Sequence, residues 1–140
     1  MAAPAFLGNG LLRPFVRDQK NDFANGSALD LIRSTAGQIL GTRADGPKTR
    51  GELAWRTEFG SKLYLLRHKA INATSRELAR FYAQDALRRW EPRILVTRAA
   101  LEKDSTRRAL IVRVTFDVIA KNVAGNRVIF SGVQVATTLR

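Results

Sequence analysis

The chain has 140 residues, 24 Lys and Arg against 12 Asp and Glu, a formal charge of +12, and no cysteine. That length makes one domain able to bury a core without cross-links, and the missing thiols exclude disulfides, zinc–thiolate sites and cysteine nucleophiles. No apolar run approaches the about 18 residues of a membrane span, and the positive excess favours polyanions or acidic proteins as partners.

Residues 1–25 mix Gly, Asn, Pro and charge without a usable period and are expected to form a flexible N-terminal arm. The first basic residue is Arg13, so the small apolar opening is not read as a secretory signal. A single domain is expected over residues 26–140. Ser27 reads as an N-cap with Asp30 three residues on, and Leu29, Ile32, Ala36, Ile39 and Leu40 recur at helical spacing. Gly41 stands where a C′ glycine would end that helix.

Residues 42–57 are turn-rich and carry Arg43, Lys48, Arg50 and Arg56. A short helix from Gly60 to about His68 would bury Leu63 with Leu65 or Leu66. The next helix starts at a capping box, Thr74 as N-cap and Glu77 at N3. Its apolar face is Ala79, Tyr82, Ala83, Ala86, Leu87 and Trp90; Asp85 is spaced to pair with Arg89, and Pro92 ends it. Trp55, Phe59 and Trp90 are expected in local core.

Beyond Pro92 the period becomes two. A strand runs from Ile94 towards Leu101, and Leu110, Val112, Val114, Phe116 and Val118 alternate with more polar neighbours. Gly125-Asn126 marks a tight turn, and Val128–Leu139 is the return strand, bulged at Gly132. The predicted fold is therefore α+β, with helices packed on one face of a small antiparallel sheet. One sheet edge is expected to be open to strand addition, because the sequence ends one residue after the last strand.

Two segments carry a family resemblance. Gly51-Glu52-Leu53-Ala54-Trp55-Arg56-Thr57-Glu58-Phe59-Gly60-Ser61 precedes the short helix, and Arg89-Trp90-Glu91-Pro92-Arg93-Ile94 joins the long helix to the sheet. In this order they resemble the lysozyme-like baseplate wedge, or sheath-initiator, family of contractile phage tails, type VI secretion baseplates and extracellular contractile injection particles. The family commonly has Gly-Glu-Arg where this chain has Gly51-Glu52-Leu53, and often Pro at the position of Thr57; Glu91-Pro92-Arg93 is intact.

The resemblance implies a structural subunit that links baseplate wedge subunits to the first ring of sheath protein, with spike, hub or tube proteins as further neighbours. It also implies sixfold symmetry and assembly in the bacterial cytoplasm. The expected wedge interface is Glu91, Pro92, Arg93, Glu52 and Arg56, with Pro92 displaying the two charges beside it. The expected sheath interface is the last strand, at Val128, Phe130, Val133, Val135, Thr137 and Leu139, accepting a terminal arm of the sheath protein by β-augmentation.

Catalysis is not expected. The candidate carboxylates Glu52, Glu58 and Glu91 stand near Arg50, Arg56 and Arg93, which favour the ionised form over the protonated acid that glycoside cleavage needs. His68 is the only histidine, so neither a metal nor a triad is in view, and no cofactor is implied. The alternative is a basic nucleic-acid-binding domain, but the basic residues scatter without an RNP, helix-turn-helix or zinc pattern.

Overall fold

Alternation of apolar side chains builds the centre of the molecule. The structure, a computed structural model, describes residues 7–12, 15, 17–106 and 108–139. Three long strands, β3 (Ile94–Asp104), β4 (Ala109–Lys121) and β5 (Arg127–Leu139), form an antiparallel sheet in the order β3-β4-β5, preceded by the two-stranded pair described below. Val112, Val114, Phe116 and Val118 of β4 are completely buried on one face, while Arg113 faces solvent on the other.

Both outer strands contain a β-bulge, and each bulge switches which residues point inward. In β3 the inward set is Ile94 and Val96 before Thr97, then Ala99 and Leu101 after it; the pairing jumps from Val96↔Phe116 to Arg98↔Thr115. In β5, Ser131 and Gly132 lie opposite Asp117, and Gly132 takes φ 73°. Val128 and Phe130 therefore share a face with Val133, Val135, Thr137 and Leu139, through the register with β4.

Two helices cover that face. α1 (Ala28–Gly41) packs over β5 and α2 (Ala73–Trp90) over β3. Ile32, Ala36, Ile39 and Leu40 of α1 meet Ala79, Ala83, Ala86 and Leu87 of α2 in one core with the sheet. A 3₁₀ turn, Leu63–Leu66, buries Leu63 and Leu66 beneath α2 and leaves Leu65 half-exposed.

Several helix ends differ from expectation. The capping box of α2 is made by Asn72 and Ser75, not Thr74 and Glu77: Asn72 Oδ1 accepts from the Ser75 amide at 2.8 Å, and Ser75 Oγ accepts from the Asn72 amide at 2.9 Å. Glu77 instead faces Arg80 at 3.7 Å on the surface. Arg89 lies 5.2 Å over the Trp90 ring rather than pairing with Asp85. At the start of α1 the chain enters through Ala28 at φ 57°, whose amide donates to the Gly8 carbonyl, while Asp30 sits 3.6 Å from Arg33. Gly41 is the last helical residue; the Thr42 amide and hydroxyl both close the end on the Gln38 carbonyl.

Within the segment expected to be a flexible arm, some of the described residues pack on the body; residues 13, 14 and 16 lie outside the described residues. β1 (Asn9–Leu11) pairs antiparallel with β2 (Asn25–Ser27), and both pack against α1. Leu7 is buried in the main core. The earlier part of that segment, residues 1–6, lies outside the described residues.

Candidate assembly surfaces

The helix-to-sheet corner is built by a run of backbone bonds. The Glu91 amide caps α2 on the Leu87 carbonyl, and the Ile94 amide closes a turn on the Glu91 carbonyl. The Ile119 amide then donates to the Arg93 carbonyl, which stitches the corner to β4. Pro92, exposed at the turn, holds Glu91 out of the helical region at φ −139°.

The side chains at this corner pair with each other. Arg93 Nε donates to Glu91 Oε1 at 2.7 Å and Nη2 donates to Oε2 at 3.0 Å, the two-pronged geometry of a guanidinium on a carboxylate. The Glu91 side chain is only 10% exposed, and its hydrogen bonds to Arg93 push the guanidinium pKa further up. The remaining prong, Nη1, donates to the Leu7 carbonyl at 2.9 Å. Glu91 is buried with its charge-assisted bonds made to Arg93 within the chain, Arg93 stays partly exposed, and the pair ties the N-terminal segment to the corner.

The loop between α1 and the 3₁₀ turn is similarly self-bonded. Asp45 accepts from the Gly51 amide and the Thr57 hydroxyl, each at 2.7 Å. Those bonds, Thr57 first and Gly51 second, with the Arg50 charge behind them, hold the Asp45 pKa below its ordinary value. Glu52 Oε2 accepts from the Arg43 amide at 3.1 Å, and the Glu52 amide donates to the Arg43 carbonyl. Ser61 is buried and donates to the Leu40 carbonyl at 2.9 Å. Phe59 meets the Trp90 ring at 5.0 Å, and the Arg56 guanidinium lies 5.3 Å over the same ring. Phe59 and Trp90 pack against the core as expected; Trp55 does not, being 83% exposed.

The loop and the corner therefore meet through Trp90, which brings Arg56 near the end of α2. Glu91 and Arg93 form a second, separately bonded unit at that end. Of the three candidate carboxylates, Glu91 is bound to Arg93, Glu52 to a backbone amide, and Glu58 is exposed on the loop. Among the described residues no group of three or more His, Cys, Asp or Glu is placed to hold a metal ion, and no helix is long and apolar enough to cross a membrane.

The last strand lies at an edge of the sheet. Val133, Thr137 and Leu139 are buried, and Phe130 and Val135 pack against the core. The six residues expected to contact the sheath thus sit on the helix-covered face, because the bulge at Gly132 keeps the apolar set inward. What β5 leaves available is its backbone edge and its outer face, where Ile129 is half-exposed.

Sequence reasoning did not single out Leu7, Asn72, Asp45 or the exposure of Trp55. Asp45 had a signal, an Asp immediately before Gly46-Pro47 in a turn-rich stretch. Leu7 had none, since its partner Arg93 lies far along the chain.

The chain is thus an α+β domain, a three-stranded sheet backed by two helices and fronted by a fixed loop. The fold matches a chain in the 6-fold symmetrised cryo-EM structure of the anti-feeding prophage baseplate, at a TM-score of 0.64 and 16% identity over 81% of this chain and 86% of that one. It also matches a Geobacter sulfurreducens crystal structure described as a tail lysozyme, at a TM-score of 0.50 and 22% identity over 78% and 88% of the two chains. No curated protein sequence matches. The family model described as baseplate wedge protein gp25 matches residues 27–123, more than half of the chain. The chain belongs to this baseplate wedge family: it is a structural component of the baseplate of a contractile, phage-tail-like injection system, one part of a multi-subunit assembly.

Proposed function

We propose that this subunit joins the wedge to the first ring of the sheath and templates sheath assembly by accepting a strand at the free edge of β5. The observation that carries the reading is the contrast between the two edges of the sheet. Both edge strands are bulged, but only β3 carries charge along its length, at Arg98, Glu102, Lys103 and Asp104. β5 spans 13 residues and has no charged residue after Arg127 and no proline. Proteins ordinarily blunt an exposed edge with charge or proline to prevent unwanted pairing, so a long unguarded edge suits a designated occupant. Backbone hydrogen bonds would supply the affinity, while the side chains at Val133, Val135 and Thr137 keep β5 seated on α1.

The loop and the Glu91-Pro92-Arg93 corner, with Glu52 and Arg56, form the surface that faces the wedge subunits in this reading. The charge pairs fix the shape of that surface rather than reaching across it. The role in this reading is structural rather than catalytic: Glu91 is bound to Arg93 and Glu52 to the Arg43 amide, both within the chain. Assembly in the bacterial cytoplasm, beside spike, hub or tube proteins and with sixfold symmetry, follows from the same reading.

The test is reconstitution. Baseplates prepared without this chain should fail to nucleate sheath, and adding the purified chain should restore sheathed particles in electron micrographs. Purified cell walls incubated with the chain should keep their turbidity. Sheath growth without the chain would refute the templating role, and wall clearance abolished by Glu58→Gln would refute the structural one.

A further inference from the structure

The side chains that build the loop are turned inward, and one large apolar side chain is turned outward. Trp55 is 83% exposed on a protein whose other tryptophan is packed between Phe59, Arg56 and Arg89. It stands at the tip of a turn closed by the Arg56 amide on the Leu53 carbonyl at 3.2 Å. That turn is fixed at both ends. On one side Asp45 holds the Gly51 amide and the Thr57 hydroxyl. On the other, Arg56 lies on the Trp90 ring.

Such fixing matters for binding. An aromatic anchor held in place before contact loses little freedom when a partner closes on it. Tryptophan is enriched among the few residues that dominate protein interfaces, where it fills a desolvated pocket. Lys48, Arg50, Arg56 and Glu58 are all exposed on this loop. The indole N–H can only donate.

We infer that Trp55 is the anchor of the wedge-facing surface, inserting into an apolar slot on a neighbouring baseplate protein. The slot would offer a hydrogen-bond acceptor to the indole N–H and carboxylates at its rim to the basic side chains. The inference rests on the reading of this loop as wedge-facing. A rigid loop and membership of a multi-subunit baseplate favour a protein over a lipid surface as the occupant.

The full chain is labelled with fluorinated tryptophan, and the two indole signals are assigned with Trp55→Phe. The probe is a baseplate complex prepared without this chain and without sheath. Binding should shift the Trp55 signal and leave that of Trp90 nearly in place. Trp55→Ala should melt at the wild-type temperature and bind at least about thirtyfold more weakly, with Trp55→Phe between the two. Unchanged binding by Trp55→Ala, or an unshifted Trp55 signal on binding, would overturn the anchor while leaving the wedge-facing reading intact. Failure of the wild-type chain to bind the complex would overturn that reading and the anchor with it. A Trp55 shift produced by anionic lipid vesicles but not by the complex would assign the residue to a membrane surface, against this proposal.

Discussion

Arg93 Nη1 donates to the main-chain oxygen of Leu7 across 2.9 Å, joining residues 86 apart in sequence, while the rest of its guanidinium holds Glu91. This one side chain thus fixes the start of the fold to the corner where helix becomes sheet.

Arg93→Ala leaves the Glu91 carboxylate buried without its partner. Breaking a fully buried pair costs about 3–5 kcal/mol. With Arg93 itself 36% exposed, the expected loss is about 2–3 kcal/mol by denaturant titration. The double variant Glu91→Ala/Arg93→Ala should be less unstable than Arg93→Ala alone, since no lone charge stays buried. Both should speed hydrogen exchange at the Ala28 amide, which bonds to Gly8 beside Leu7. A double variant with the full sum of both losses would contradict the pairing.

Asp45 makes loop order sensitive to acid. Its carboxyl is held below its ordinary value, first by the Thr57 hydroxyl, then by the Gly51 amide. A depressed carboxylate pKa contributes stability that is fully present above the unfolded value and lost as pH falls through the folded one. The Gly51 amide resonance should therefore follow a titration that lies at lower pH than that of an unbonded aspartate. Asp45→Ala should place it at the acid-limit position at neutral pH.

Glycines at two positions should respond in opposite directions. A methyl at Gly37, inside α1, would make an ordinary contact of 3.4 Å with Val135 Cγ2. Gly37→Ala should raise stability by up to about 1 kcal/mol, the helix-propensity difference. At Gly51 the same methyl would run into the Thr57 carbonyl, so Gly51→Ala should lower the melting temperature and release the loop. Melting curves followed by circular dichroism separate the two.

Where sequence signals were local, they were readable. The alternation from Leu110 to Val118 placed β4, Pro92 placed the end of α2, and Gly132 placed the bulge in β5. The fold class followed from those elements. The N-terminal hairpin was missed because its pairing of Asn9 with Ser27 joins two three-residue strands too short to show a period. Thr74 and Glu77 fit the sequence pattern of a capping box better than Asn72 and Ser75 do, whereas in the fold Ser75 is buried and caps with Asn72. At the candidate site, the residue types of the corner were legible, but not that Glu91 would be buried; charge reads as solvated until packing says otherwise. The six residues of β5, five of them apolar, were chosen for an interface by the same pattern that seats them on the covered face of the sheet.

The proposed pairing of a sheath strand with the backbone edge of β5 can be tested with a pair of proline variants. Adjacent residues in a strand send their N–H groups to opposite sides. Of Gln134→Pro and Val135→Pro, one should therefore break a bond to β4 and lower the melting temperature, and the other should remove only a donor on the free edge. The variant that melts like wild type is then added to baseplates lacking this chain, and sheath growth is scored by electron microscopy. The account predicts complete baseplates without sheath. Normal sheaths on that folded variant would contradict it.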